Sequence, residues 1–134
     1  DRIDIQVHVP RIDLETLQNT RPAIEGETAH ARATIVLARA TQKKRFEKLR
    51  PSDERSNLMN SDLTSRECDN AIPLTKPASE FLASSFAKLK LSTRSYYRVL
   101  KIARTIADLD AVEIIDLPHM SEALSYRVRD PQTL

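Results

Sequence analysis

The hydrophobic positions change period along the chain. Ile3, Ile5, Val7 and Val9 alternate with Asp4, Gln6 and His8, a period of two that predicts a β-strand with one apolar face, stopped by Pro10. No second strand of comparable quality follows. A lone strand leaves its backbone donors and acceptors unpaired, so this one is expected to belong to a sheet outside these residues. Within them, the segment is expected either to be disordered or to pair outside its native arrangement, for instance with a second copy. Residues 10–26 carry Pro10, Pro22 and Gly26 and read as an irregular connector.

From Glu27 to Leu49 the pattern turns helical, with Ala31, Ile35, Ala38, Gln42, Phe46 and Leu49 on one face at steps of three and four. Arg39, Lys43, Lys44, Arg45 and Lys48 crowd its later turns, where cations complement the negative end of the helix dipole. Residues 50–60 read as a polar loop, and a short helix is expected over about 61–70 with Ser61 as its N-cap. Ala78, Phe81, Leu82, Ser85, Phe86 and Leu89 form an amphipathic stripe. Ser92 can cap the next helix, in which Tyr96, Val99, Leu100, Ala103, Ile106 and Ala107 face inward and Arg94, Arg98, Lys101 and Thr105 lie opposite. Asp116, followed by Pro118, opens a last helix through Met120, Leu124 and Val128. The expected class is mainly α: a small bundle of four or five helices preceded by one orphan strand.

Composition supports this and excludes several functions. The 134 residues contain one glycine, against about nine at ordinary usage. A Walker A loop and a dinucleotide fingerprint both need several glycines, so neither is present. Primed hairpin turns need Gly or Asn, which argues against a many-stranded fold. The net charge of +2 is too balanced to argue for nucleic acid by itself. The single Cys68 cannot form an internal disulfide, and no apolar run reaches the ~20 residues a bilayer span needs. The expected setting is cytoplasmic, with no membrane contact. The chain starts at Asp1 rather than Met and is taken as a piece of a longer protein.

Candidate chemistry is sparse. His8, His30 and His119 are scattered without metal spacing, so no metal site is expected. Cys68 has no adjacent cationic cluster to activate it and reads as a small buried thiol. One charge pattern stands out. Between Phe81 and Ala107 there is no acidic residue, while Lys88, Lys90, Arg94, Arg98, Lys101 and Arg104 are present. Guanidinium forks pair bidentately with phosphate oxygens, so this surface suits phosphate; a solvated basic face is the plainer reading of the same residues.

These residues also resemble a known family. Leu91-Ser92-Thr93-Arg94, Arg98 and the run from Leu100 to Leu109 are similar to the C-terminal signature of magnesium-chelatase-like AAA+ ATPases, in the competence-associated YifB/ComM branch. Asp1-Arg2-Ile3-Asp4 resembles the family's Leu-Asp-Arg-Phe/Ile-Asp segment. Gly26-Glu27-Thr28, Ala38-Arg39, Gln42 and Arg45-Phe46 resemble its G-E-S-S…A-R-x-x-Q-x-x-R-F helix, and Glu122 to Arg127 its E-A-x-x-Y-R terminus. Thr34 departs from the pattern, standing where family members often carry a second arginine. Asn57-x-Met59 is a weak match in the variable loop.

The resemblance implies a part of a machine. Residues 1–10 would be the last strand of the AAA+ core with its arginine-finger segment, 11–26 a connector, and 27–134 the helical C-terminal lid. Arg94 then resembles the sensor-2 arginine, reaching the γ-phosphate of ATP bound by its own subunit. Arg2 resembles the arginine finger, acting on ATP held by a neighbour in a ring, expected to be a hexamer. A fixed cation at either place would offset charge on the transferring phosphoryl group. Arg98, Lys101 and Arg104 become candidates for phosphate or subunit contacts, or for bracing the lid. ATP and Mg²⁺ would belong to the full-length parent, a motor for which DNA is a candidate partner, and none is expected on this stretch alone. Two other classes compete: a helical nucleic-acid-binding module using the basic 81–107 surface, which would show steep salt dependence, and a scaffold whose basic face contacts acidic patches on adjacent subunits.

Overall fold

A computed structural model describes residues 3–19, 26–55 and 57–127. The elements run α1 (Leu14–Gln18), α2 (Glu27–Leu49), a single 3₁₀ turn (Asn60–Asp62), α3 (Ser65–Ala71), α4 (Lys76–Lys88), α5 (Thr93–Leu109) and α6 (Leu117–Ser125). The helical class expected from the sequence is what forms. α5 is the hub: α2, α3, α6 and the 3₁₀ turn all pack on it, and α4 closes against α6. Its inward stripe is the expected one, with Val99, Leu100, Ala103, Ile106 and Ala107 buried among Phe46, Leu82, Ile115, Met120 and Leu124.

The helix starts follow side-chain chemistry. Thr75 and Ser92 each accept a backbone N–H from the third residue on, Ala78 and Ser95, at 3.4 and 3.2 Å. Asp116 precedes α6 as expected, and its carboxylate accepts the Thr75 hydroxyl at 2.6 Å. A parallel bridge between Leu74 and Ile115 joins the two loops that enter α4 and α6. The chain's poverty in glycine shows at the helix ends. Lys90 (φ 47°) and Ala111 (φ 56°) occupy left-handed positions after α4 and α5. Each is followed by the six-to-one bond of a Schellman motif, Leu91 N–H to Phe86 C=O at 3.2 Å and Val112 N–H to Ala107 C=O at 2.8 Å.

Several expectations need correcting. Residues 3–9 form no strand, and the described residues contain no sheet. Alternation specifies a face, but a strand exists only with a ladder partner. Within this single chain the segment lies along its own bundle, with Gln6 N–H donating to the Tyr126 carbonyl at 2.9 Å. The connector holds a short helix, α1, because Asp13 accepts Thr16 N–H at 2.7 Å and starts a turn. The helix expected over 61–70 begins later, at Ser65. Thr64 and Glu67 make a reciprocal capping box there, with the Glu67 carboxylate accepting Thr64 N–H at 2.7 Å, which outcompetes Ser61. In α2 only the later half of the stripe is buried, through Ala38, Gln42 and Phe46, while Ile35 is 53% exposed. Arg2 and Val128 lie outside the described residues.

Candidate functional site

The first half of α5 carries the basic face. Arg94, Arg98 and Lys101 are spaced by four and three, which stacks them along one side of the helix. With Asp4, Ser61 and Ser65 they border an open groove of about 510 Å³. Lys101 Nζ donates to the Ser61 carbonyl at 2.9 Å. One nitrogen of Arg98, a side chain only 15% exposed, lies 3.0 Å from Asp4 Oδ1. Arg94 differs from both. It is exposed, sits in the first turn of α5 where free amides add positive potential, and has no ion-pair or hydrogen-bond partner among the described residues. Nearby, the Tyr97 hydroxyl donates to Asp69 at 3.0 Å, and that bond holds the phenol above its ordinary pKa. Such a groove can bind an anion. Its one uncommitted guanidinium offers a planar fork suited to phosphate or carboxylate oxygens.

Arg104 is not part of this surface. It is 1% exposed and faces the interior between α5 and the turn that follows it. Its Nε donates to Asp108 Oδ1 at 3.1 Å, and its two terminal nitrogens donate to the carbonyls of Glu113 and Val112. Burial pulls its pKa down, yet a guanidinium has so much range that it stays charged. Of the roles open to it, bracing the bundle is the one its contacts fit.

The partner of Arg104 is the centre of a buried polar cluster. Arg45 of α2 grips the Asp108 carboxylate with both terminal nitrogens, at 2.9 and 2.5 Å. Arg45 also donates to Asn60 Oδ1 at 2.7 Å, and Asn60 Nδ2 donates onward to Asp108 at 2.9 Å and Thr105 at 3.0 Å. Gln42 completes the cluster by accepting Asn60 N–H at 3.4 Å. One carboxylate therefore ties α2, the 3₁₀ turn and α5 together. Gln42, Arg45, Arg104 and Asp108 all fall inside the motif blocks noted in the sequence, so much of that signature is structural. Asn60 carried no signal beforehand. Asp108 did, standing four residues after Arg104 on one helix, the spacing of an intrahelical ion pair.

The remaining candidates are quiet. Cys68 is 1% exposed, and burial pushes its thiol up, as expected of an inert core residue. Thr34, at the position where an arginine was looked for, donates its hydroxyl to the His30 carbonyl within α2 at 3.1 Å. Among the described residues no group of three or more His, Cys, Asp or Glu side chains could hold a metal ion. Nor is any described helix long and apolar enough to cross a membrane.

Comparison with known proteins gives a consistent picture. The family model described as the C-terminal domain of magnesium chelatase subunit ChlI matches residues 25–127. The chain is 38% identical over 128 residues to the competence protein ComM of Haemophilus influenzae, covering 95% of this chain and 23% of that protein. It is 34% identical over 131 residues to the uncharacterized protein YifB of Escherichia coli K12, covering 97% of this chain and 24% of that protein. The YifB of Salmonella typhimurium is 31% identical over the same length. The chain thus spans about a quarter of these relatives.

Proposed function

Because the chain belongs to the family of magnesium chelatase subunit ChlI C-terminal domains, we propose that it is the lid of a ring-forming AAA+ ATPase. In this reading the parent protein binds ATP and Mg²⁺ between its core and this lid. Arg94 reaches the γ-phosphate of the nucleotide bound by its own subunit, and Arg2 acts on the nucleotide of the neighbour. The parent is a DNA-remodelling motor in competence or recombination; its ComM relative is a competence protein.

One observation carries the proposal. Of the three cations on the α5 face, Arg98 and Lys101 are engaged within the chain, while Arg94 stands exposed and uncommitted at the N-terminal turn. A guanidinium held on a rigid helix and left without a partner suits a charge that arrives with a ligand and grows in the transition state. The same facts weaken the nucleic-acid module. Burial of Arg104 and engagement of Arg98 and Lys101 leave a thinner phosphate-contacting surface than the run of six cations implies.

The test is Arg94→Ala in the full-length protein. Turnover is expected to fall on the order of 10²-fold, the scale for removing one transition-state donor, with a much smaller loss in nucleotide affinity. Arg94→Lys should recover only part of the rate, because a point charge does not reproduce a fork. Wild-type turnover in the alanine variant would take Arg94 out of the nucleotide site.

A further inference from the structure

Free cations concentrate on α2 rather than on α5. Arg32, Arg39, Lys43, Lys44 and Lys48 are all exposed, and none has a hydrogen bond or ion pair among the described residues. The helix dipole accounts for little of this clustering, because its effect fades within the last turn, where only Lys48 stands. Between Thr28 and Leu49 the one acid is Glu47. Off the helix, Glu54 shares a groove with Lys43, and Glu113 shares one with Lys44 and Lys48. All three acids stand toward the C-terminal end of α2. The earlier turns carry cations alone.

Those turns also stand clear of the bundle. Ala38 is the first buried residue of α2, so roughly 16 Å of helix before it buries no side chain in the described chain. At 100° per residue, Ala29, Ala33 and Val36 lie within about 40° of Ala40 and form an exposed crest of small side chains. Arg32, Arg39 and Lys43 lie about 60–100° to one side of that crest, and Lys44 and Lys48 about 40–80° to the other. A slim apolar ridge thus runs between two rows of positive charge.

We propose that α2 is a contact for duplex DNA, with its crest in the major groove. A helix about 10–12 Å across fits a groove about 12 Å wide, and cations on both edges reach the phosphate wall on either side. Methyl groups on the crest can meet thymine methyls but read little sequence, so the binding is expected to be nearly sequence-independent. The proposal gives a surface to the DNA-remodelling role proposed above and rests on that part of the reading.

Fluorescence anisotropy of this chain on a labelled DNA duplex tests it. Four phosphate contacts predict an affinity that falls on the order of 10²-fold between about 50 and 200 mM salt. Arg39→Gln, Lys43→Gln and Lys44→Gln should each weaken binding several-fold and take about one unit from the slope of log affinity against log salt. Ala33→Glu, which places an acid on the crest, should weaken binding at least about tenfold, and Glu47→Gln should strengthen it. Lys88→Gln, on α4, should bind as the wild type does. Circular dichroism should show the same helix content in every variant, since all these side chains are exposed.

No duplex binding, unchanged salt slopes in the α2 variants, or an equal loss in Lys88→Gln would overturn the surface. So would polyglutamate competing as well as unlabelled duplex at equal charge, since an acidic protein would then fit the same cations. The lid reading fails separately. If Arg94→Ala slows turnover in the full-length protein while the α2 variants bind duplex normally, this surface is wrong and the lid reading stands. If the α2 variants lose binding and Arg94→Ala has no effect on turnover, the surface stands and the lid reading fails.

Discussion

Asp108 is the position where a small change should cost this fold most. Its carboxylate, fully buried, accepts four hydrogen bonds: two from Arg45, one from Asn60 and one from Arg104. Replacing it with Ala strands two guanidinium groups. Arg45, 14% exposed, can turn toward water, but Arg104, at 1%, has no such route. Four charge-assisted bonds at roughly 1.5–3 kcal/mol each would sum to about 6–12 kcal/mol, as much as the whole stability of a typical domain, so simple addition overstates the loss. Removing one partner of a buried pair costs about 3–5 kcal/mol, and the partial escape of Arg45 places Asp108→Ala near ~3–4 kcal/mol. For a domain of this size that corresponds to a drop in Tm of about 10–15 °C. Urea unfolding followed by far-ultraviolet circular dichroism measures it, with the denaturant slope unchanged if the native state is otherwise intact. Replacing all three charges together, as Arg45→Met, Arg104→Met and Asp108→Leu, should destabilise less than Asp108→Ala alone, because no charge is left buried without a partner. A loss under ~1 kcal/mol for Asp108→Ala, or a triple variant weaker than the single, would refute the stranded-charge reasoning.

Three further outcomes follow from the structure. The two nitrogens of Arg50 hold Glu67 at 2.6 Å each and depress its pKa to about 2 from an ordinary 4.5. This stabilisation is complete above pH 4.5 and is lost as the pH falls toward 2, so Glu67→Gln should flatten the acid limb of the stability profile there, by about 1 kcal/mol for a pair at the surface; an unchanged limb would show that other carboxylates control it. Ala111→Gly should raise stability by about 0.5–1 kcal/mol in urea melts, since the left-handed C′ position suits glycine; a loss would mean that unfolded-state entropy outweighs the relieved strain. Deleting residues 1–10 should leave the circular dichroism spectrum unchanged and Tm within a few degrees of the wild type, because Ile3, Ile5, Val7 and Val9 are exposed; unfolding of the bundle would place the segment in its core.

How much of this was legible beforehand differs by element. α5 was readable because it carries a long 3.6-residue period and Ser92 marks its start with a side chain that does cap, whereas in α2 only Ala38, Gln42 and Phe46 of the expected stripe carry the period into the core. α3 was misplaced because two hydroxyl residues, Ser61 and Thr64, both offered a cap, and only the Glu67 carboxylate reaching back to Thr64 decides between them. α1 was invisible since its five residues bury nothing and so leave no periodic trace. The strand at 3–9 was read correctly as alternation and wrongly as a strand, because no ladder partner for it lies among the described residues.

The basic face shows the same limit at the level of single side chains, and also how far simple geometry goes. At 100° per residue, Arg98 and Lys101 lie within about 40° of Arg94 around α5, whereas Arg104 is displaced by about 80° toward the Leu100 side. The composition of 81–107 counts six cations alike, but helical position already sets Arg104 apart. What the sequence could not supply is the neighbour that covers that flank. α2 brings Arg45 and Gln42 there, and the 3₁₀ turn brings Asn60, so Arg104 and Asp108 are sealed in while Arg94, one helical flank away, is left open. Burial thus divides one motif into two jobs. Arg104, which α2 covers, braces the bundle, while Arg94 stays uncovered on the face it shares with Arg98 and Lys101.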